Sequence, residues 1–474
     1  MRVYDNTAAD TTMARLANSG SILGGETGIL VQDAELHLIN TGRIEGGLFG
    51  IFQTGTGSLS LTSAGLVAGS SHALFLDGTG NTLSLLAGSV LDGAIYFASP
   101  DNSLNFGNGL SALLTFDATS AIPTNIAFNG MPHAIDIANN QITVVDPTGF
   151  AMADEMLTDL ADSVLDAVSR RGRHGADGEL ATSLSAGETI AASGHRFASG
   201  TVLWAEVFGR WRDQKEGGAI WASDHRLSGA LAGLEGELAE GVNIGVFLGA
   251  ADSELSVDDG AQDIESRSFY GGMRLARDWR AGVLKAALLL GWQENDSTRR
   301  IASNAAVSGV ETAEATYDGV FVAPQIGYER RTGAFFSSIS ARYAGLFLDD
   351  YEELGSSADL DVDSRNIHVA GADLRFSRPS DIALPQGALV LEPHVGLKGR
   401  LLLGGDEISA EVLGTSIDDF HVDQEQAVLN FYAGAAAAFG SGDGRLQLRF
   451  TGDAGMATDG SVTLSAGLGG DLAF

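Results

Sequence analysis

Cysteine is absent from the whole chain, so no disulfide holds it together. Two readings of that absence stay open. One is an oxidising compartment with nothing to staple, the other a segment that crosses a pore unfolded, where a premature disulfide would block passage. Proline is scarce, with 8 residues against 63 glycines, a balance that suits packed strands and tight turns and excludes a collagen-like or Pro-rich disordered chain. Positive charge is also short. Lys and Arg number 28 against 61 Asp and Glu, a formal net charge of −33, which argues against binding nucleic acid or anionic lipid through a basic face. No stretch approaches the ~20 consecutive apolar residues of a membrane helix. A membrane protein with this sequence must cross with strands.

Catalytic and metal chemistry are equally thin. The nine histidines are scattered, with no i, i+4 pair and no H-E-x-x-H, and no G-x-S-x-G nucleophile turn occurs. We therefore assign no catalytic residue, no metal ligand and no cofactor. "GTGNTL" opens like a nucleotide loop but lacks the later glycine and the following helix, so it reads as a coil turn. The opening "MRVYDNTAADTTMARLANSG" has no charged n-region, apolar h-region or cleavage site. For an exported protein the expectation is a fragment or a misplaced start.

What is present divides into four stretches. Residues 1–145 repeat: "GIFQTGTGSLSL" and "ALFLDGTGNTLSL" place Phe52 over Phe75, and the pairs Leu36/Leu38, Leu59/Leu61, Leu83/Leu85 and Leu104/Phe106 recur about every 20–25 residues. A short L-x-L strand with glycine turns at that period predicts coils of a parallel β-helix, each burying its apolar side on the next. Leucine-rich repeats compete, but their asparagine ladder and helix spacing are not evident in the sequence.

Residues 146–172 predict one helix. Asp146 reads as its N-cap, Pro147 as its first position, Arg170 and Arg171 as its basic last turn and Gly172 as its stop. Ala153, Met156, Leu157, Leu160, Val164 and Val168 form an apolar stripe. Asp154, Glu155, Asp159, Asp162 and Asp166 exclude lipid as solvent, since each charge at the bilayer centre costs about 2.5–3.5 kcal/mol. A rod of about 25 residues, roughly 37 Å, matches a membrane's height, so it crosses only inside a wet pore. Residues 173–200 read as a linker.

Residues 201–474 read as twelve strands. Their connections alternate between long polar links (212–225, 257–263, 296–313, 348–363, 404–426) and mostly tight ones such as Glu240–Gly241 and Ala281–Gly282. An even strand number with loops sorted by rim describes an outer-membrane barrel. The closing "VTLSAGLGGDLAF" alternates apolar and small or polar residues and alone fits a soluble sandwich equally well. Leu391, Val395, Val320 and Ile326 alternate with Glu392, His394, Phe321 and Gln325. If that apolar parity faces lipid, then Arg274, Lys285, Arg342, Arg375, Lys398, Arg400 and Arg449 point inward. Twelve strands leave room for about one helix, so the acidic rod and a basic lumen complete each other, with Arg375, Lys398 and Arg449 predicted to pair with it.

With these residues in view, the chain resembles the monomeric autotransporters, self-secreting proteins of the Gram-negative outer membrane. "NTLSLLAGSVLDGAI" and "NSLNFGNG" look like final passenger coils, and "VDPTGFAMADEMLTDL" like the junction before a pore helix. "LWAEVFGRW", with Trp204, Phe208 and Gly209, is similar to the opening of the translocator barrel. Leu468, Leu472 and Phe474 are similar to the terminal signal for barrel assembly. The resemblance implies a fold that is all-β with one long helix: right-handed parallel β-helix coils, a pore-spanning helix and a 12-stranded antiparallel transmembrane barrel. It implies a non-enzymatic monomer that exports and anchors its own passenger. Its partners would be outer-membrane lipid and lipopolysaccharide, the barrel-assembly machinery, periplasmic chaperones and a host or neighbouring-cell ligand, with no nucleic acid. The segment around Leu83 to Gly130 would template passenger folding. Against the family, only about 145 passenger residues are present. A surface adhesin, or the remnant of an enzyme passenger whose active site lies elsewhere, are the alternatives.

Asn139–Asn140 precedes Pro147 and lies outside the helix, so these are turn residues rather than the self-cleavage pair found in some relatives. Acidic clusters at Asp349, Asp350, Glu352, Glu353, Asp359, Asp361 and Asp363, and at Asp418, Asp419, Asp423 and Glu425, serve solvation at the outer rim or bridge divalent cations to lipopolysaccharide.

Overall fold

The computed structural model describes residues 1–4, 13–170, 181–182, 190–191, 201–384, 387–417, 420–421, 425–441 and 446–472. The linker 173–200 falls almost wholly outside these, as do Arg171, Gly172, Asp418, Asp419, Asp423 and Phe474.

Parallel strands stack in register through the first region. Leu36–Asn40 lies on Ala14–Asn18 and Leu59–Ser63 on Leu36–Asn40, with Thr82–Leu85, Ser103–Phe106 and Asn125–Ala127 continuing the column. A second sheet runs through Thr27–Gln32, Phe49–Thr54, Leu66–Leu76 and Val90–Phe97. Between them Leu36, Leu38, Ile44, Ile51, Leu61, Leu74 and Phe106 are all but inaccessible. This is a β-solenoid, and its period comes from burying alternate residues of every short strand. Phe52 does lie over Phe75, and Tyr96 follows, their rings stacked at 5.1 and 4.5 Å.

Two details differ from the sequence reading. Leu83 lies over Leu61 rather than Leu59. A two-residue slip keeps every side chain on its own face, so the apolar pattern alone does not fix it. Buried asparagines do form ladders at the turns. Asn18 Nδ2 donates to Asn40 Oδ1 at 2.8 Å, and Asn102 Oδ1 accepts from the Asn81 amide at 2.8 Å. They satisfy turn amides that the apolar core leaves unpaired.

The helix runs from Thr148 to Ser169, with a slack turn at Met152. It starts one residue later than expected: Pro147 takes the cap position, and Asp146 Oδ1 accepts from the Thr148 amide at 3.3 Å and its hydroxyl at 2.7 Å. Arg170 ends it, its amide donating to the Asp166 carbonyl at 3.1 Å.

Twelve antiparallel strands follow: Thr201–Gln214, Ser223–Ala239, Val242–Val257, Gln262–Trp279, Gly282–Ser303, Val310–Thr332, Phe335–Leu348, Arg365–Ser377, Gly387–Gly404, Ala427–Ser441, Leu446–Ala457 and Val462–Leu472. Each pairs with the next, and the first pairs with the last from Leu203↔Leu472 to Asp213↔Val462, so the sheet closes. Leu391, Val395, Val320, Ile326, Leu464 and Leu468 are exposed on the outside, whereas Phe321, Glu329 and His394 are buried inside. No helix among the described residues is long and apolar enough to cross a membrane. The crossing elements are strands.

Two strands are longer than the sequence reading. The fifth and sixth barrel strands span 22 and 23 residues, so most of the polar stretch 296–313 is strand and only 304–309 connects them. A membrane needs ~9–11 residues of strand; the excess rises above it. The links after Leu348 and Gly404 also fold. Tyr351–Glu352, Leu360–Val362, Ala410–Val412 and Thr415–Ser416 make a small sheet whose buried Leu360, Val362, Ile408 and Phe420 pack on Phe150 at the helix start.

Candidate functional site

The interior of the cylinder is the candidate site, and the helix within it has two unlike faces. On one, Leu157, Leu160, Val164, Leu165 and Val168 pack against inward-facing Trp204, Phe208, Leu231, Phe247, Leu289 and Phe321. The lumen is thus apolar over much of its wall, where a basic, wet bore was expected. The alternation rule still holds, because Phe247, Leu289 and Phe321 occupy inward parity. Their neighbours there are helix side chains instead of water.

On the other face every acidic residue meets a wall cation. Asp159, completely buried, accepts from Arg212 at 2.7 and 3.0 Å through both oxygens, lies 3.1 Å from Arg210 Nε and 3.0 Å from His225 Nδ1. Glu155 sits between Arg212 at 2.9 Å and Arg400 at 2.6 Å, and Arg400 also pairs with Asp154. Asp162 pairs with Arg342 and lies 3.3 Å from Lys398, whose ammonium reaches Asp166 at 2.8 Å. A planar guanidinium on both carboxylate oxygens fixes direction as well as charge.

The ends of the helix are held too. Lys285 Nζ donates to the Ser169 carbonyl at 2.9 Å, placing a cation at the negative end of the helix dipole. Ser169 Oγ donates to Gln325 at 2.9 Å, and Arg170 pairs with Glu206 at 3.0 Å. At the other end Arg365 donates to the Phe150 carbonyl at 2.7 Å.

The remaining candidates lie elsewhere. Arg274 pairs with Glu235 on the wall. Arg375 meets His394 Nδ1 at 2.9 Å and lies 3.8 Å from Glu392, both on the neighbouring strand. Arg449 is half-buried in the eleventh strand. Trp204 and Phe208 line the bore, and Gly209 pairs with Ala466 across the closing seam. Leu468 faces outward, Leu472 pairs through its backbone with Leu203, and Phe474 is outside the described residues.

The sequence reading missed Arg210, Arg212 and His225. The signal was available: Arg210 and Arg212 share parity with Trp204, Glu206 and Phe208, so one inward aromatic places all five inside. Of the acidic rim residues, Glu353 is buried on Arg299, its Oε1 3.0 Å from Nε. Among the described residues no three His or acidic groups converge to hold a metal ion.

The family described as autotransporter beta-domain matches residues 203–453. Similar solved structures include the translocator domain of the autotransporter NalP from Neisseria meningitidis (17% identity, 67% of this chain and 98% of that one, TM-score 0.48). Another is the beta domain of the Bordetella autotransporter BrkA (17% identity, 58% and 100%, TM-score 0.40). A third is the transport unit of the autotransporter AIDA-I from Escherichia coli (12% identity, 62% and 95%, TM-score 0.36). No curated protein matches the chain. A family match over more than half of the sequence, falling on the closed twelve-stranded cylinder, means that this chain belongs to the autotransporters, with its barrel in the outer membrane and its solenoid at the cell surface.

Proposed function

We propose that the barrel exports and then anchors the solenoid it carries, and that the helix remains as the stopper of the pore once export is finished. The observation that carries this is the complete pairing of Asp154, Glu155, Asp159, Asp162 and Asp166 with Arg400, Arg212, Arg210, Arg342 and Lys398. Buried ion pairs stabilise little against an apolar substitute but strongly disfavour one partner without the other. They therefore select one depth and one rotation of the helix. A chain sliding through the bore presents these cations with a changing set of side chains and stops where five carboxylates meet them.

In this reading coils that fold outside cannot re-enter a bore wide enough for one helix, which makes export directional. The solenoid carries no catalytic step, and the chain acts as a monomer. Lipid and lipopolysaccharide contact the outer wall, chaperones deliver the unfolded chain, and the assembly machinery reads the closing strand with its outward Leu468. A ligand on a neighbouring or host cell would meet the solenoid.

The test is conductance. Lys398→Glu and Arg400→Glu together turn two attractions into repulsions, and the purified chain in planar bilayers should show larger and more frequent openings than the unaltered one. Unchanged conductance removes the stopper from the proposal.

A further inference from the structure

The lipid-facing wall of the cylinder carries different charge at its two ends. The fifth barrel strand fixes which end is which: Ala302 pairs with the solenoid, so Gly282 at the opposite end lies at the periplasmic rim. Toward the solenoid the outward parity holds Asp252, Glu254, Glu265 and Asp296, all exposed and in step with the outward Leu248, Phe269 and Leu290. Beside the periplasmic turns the charges of outward parity are arginines. Arg277 is in step with Leu275 on the fourth strand, Arg330 with Ile326 on the sixth, and Arg378 with Phe376 just past the end of the eighth. No acidic residue among the described ones shares that parity there.

These arginines sit among aromatic rings. Arg280 at the turn lies over Trp279 at 4.6 Å, Trp279 meets Tyr328 edge-on at 5.8 Å, and Arg378 lies 5.7 Å from the ring of Phe335. Aromatic rings on the outer wall mark the level at which hydrocarbon gives way to headgroups. Arg330 pairs across the sheet with Gly282 on one side and Ser337 on the other, so its guanidinium has small neighbours and open room. Arg277, Arg330 and Arg378 are exposed, and among the described residues none of the three has a carboxylate partner. Long basic side chains in this position lay their stems on apolar wall and hold the charge at the headgroup level. A guanidinium there matches a phosphodiester through two parallel hydrogen bonds. The formal charge of −33, which argues against a basic lipid-binding face, conceals this patch because the acids lie elsewhere on the molecule.

We propose that the periplasmic end of the wall formed by the fourth to eighth strands is a binding site for anionic phospholipid. Arg277, Arg330 and Arg378 hold the phosphodiester headgroups, and the acyl chains lie along the exposed Leu275, Ile326 and Ile339. The site depends on the barrel's place in the outer membrane and not on the export reading above.

The experiment is native mass spectrometry of the full chain, purified in detergent and given equal amounts of phosphatidylglycerol and phosphatidylcholine with the same acyl chains. The unaltered chain should retain phosphatidylglycerol roughly tenfold over phosphatidylcholine. Arg277→Gln, Arg330→Gln and Arg378→Gln combined should abolish the preference. The corresponding triple lysine variant keeps the charge without the planar fork and should retain part of it. Arg226→Gln with Arg267→Gln, toward the solenoid end, should leave it intact. Compact gel mobility establishes that every variant tested is folded. The proposal is overturned by equal retention of both lipids in the unaltered chain, by a preference that survives the triple glutamine variant, or by an equal loss in the Arg226, Arg267 pair. A preference erased by a large excess of inorganic phosphate also overturns it, since the arginines would then take a free anion and not a lipid.

Discussion

Arg212 closes on Asp159 through two hydrogen bonds of 2.7 and 3.0 Å, joining the first barrel strand to the middle of the helix with both side chains withdrawn from solvent. Removing only Arg212 leaves the buried Asp159 to Arg210 and His225, and removing only Asp159 leaves the buried Arg212 to Glu155, an imbalance of buried charge that costs up to about 3–5 kcal/mol. Arg212→Met should therefore loosen the helix far more than the pair Arg212→Met, Asp159→Leu. The measurement is a double-mutant cycle on the temperature at which the purified barrel loses its compact gel mobility. Additive effects would show that the two residues do not act as a unit.

Asp146 lies above the membrane-spanning strands, where its amide meets Ser111 of the solenoid. Burial pushes its carboxyl up to about 6, opposed by the two bonds from Thr148 and by the Arg299 charge. Because the folded value exceeds the unfolded one, the native chain holds the extra proton between about pH 4 and 6. The associated stability is full below that window and lost as pH rises through it, by about 3 kcal/mol. Asp146→Asn should raise the melting temperature at pH 7 and leave it nearly unchanged at pH 4. Equal effects at both values would contradict a raised carboxyl.

Leu464 projects outward from the closing strand, while Thr463 beside it is buried inside. A lysine at 464 meets hydrocarbon and should destabilise the barrel in lipid vesicles by about 2–4 kcal/mol if it sits near the midplane. A serine at 463 should change stability by less than half as much. Urea titration in vesicles gives both values, and a reversed order would mean that the two faces have been exchanged.

Much of this architecture was legible because strands alternate and helices do not. Inward and outward sets follow from any one placed residue, which is why Lys398 and Leu391 could be assigned to opposite faces from spacing alone. Three features escaped for identifiable reasons. Above the membrane the contrast between faces vanishes, so Asp296, Ser297 and Arg299 look like loop although they pair along a strand. Inside the bore Phe247, Leu289 and Phe321 carry no polar signature, because what they meet is the apolar stripe of the helix. The partners of a given carboxylate depend on helix rotation, which no single-element pattern contains. For that reason Arg375, expected at the helix, is found beside His394 and Glu392, while Arg210 and Arg212 do the holding.

The strand bearing Arg210 and Arg212 is also the one that zips to Val462–Leu472 to complete the ring. Grip on the rod and integrity of the cylinder are consequently a single mechanical joint. Prising the wall apart at that seam would tear away the clasp on Asp159, and withdrawing the rod would strip the seam strand of its counter-charges. Each event opposes the other, so the finished molecule resists lateral rupture and axial slippage with the same few atoms.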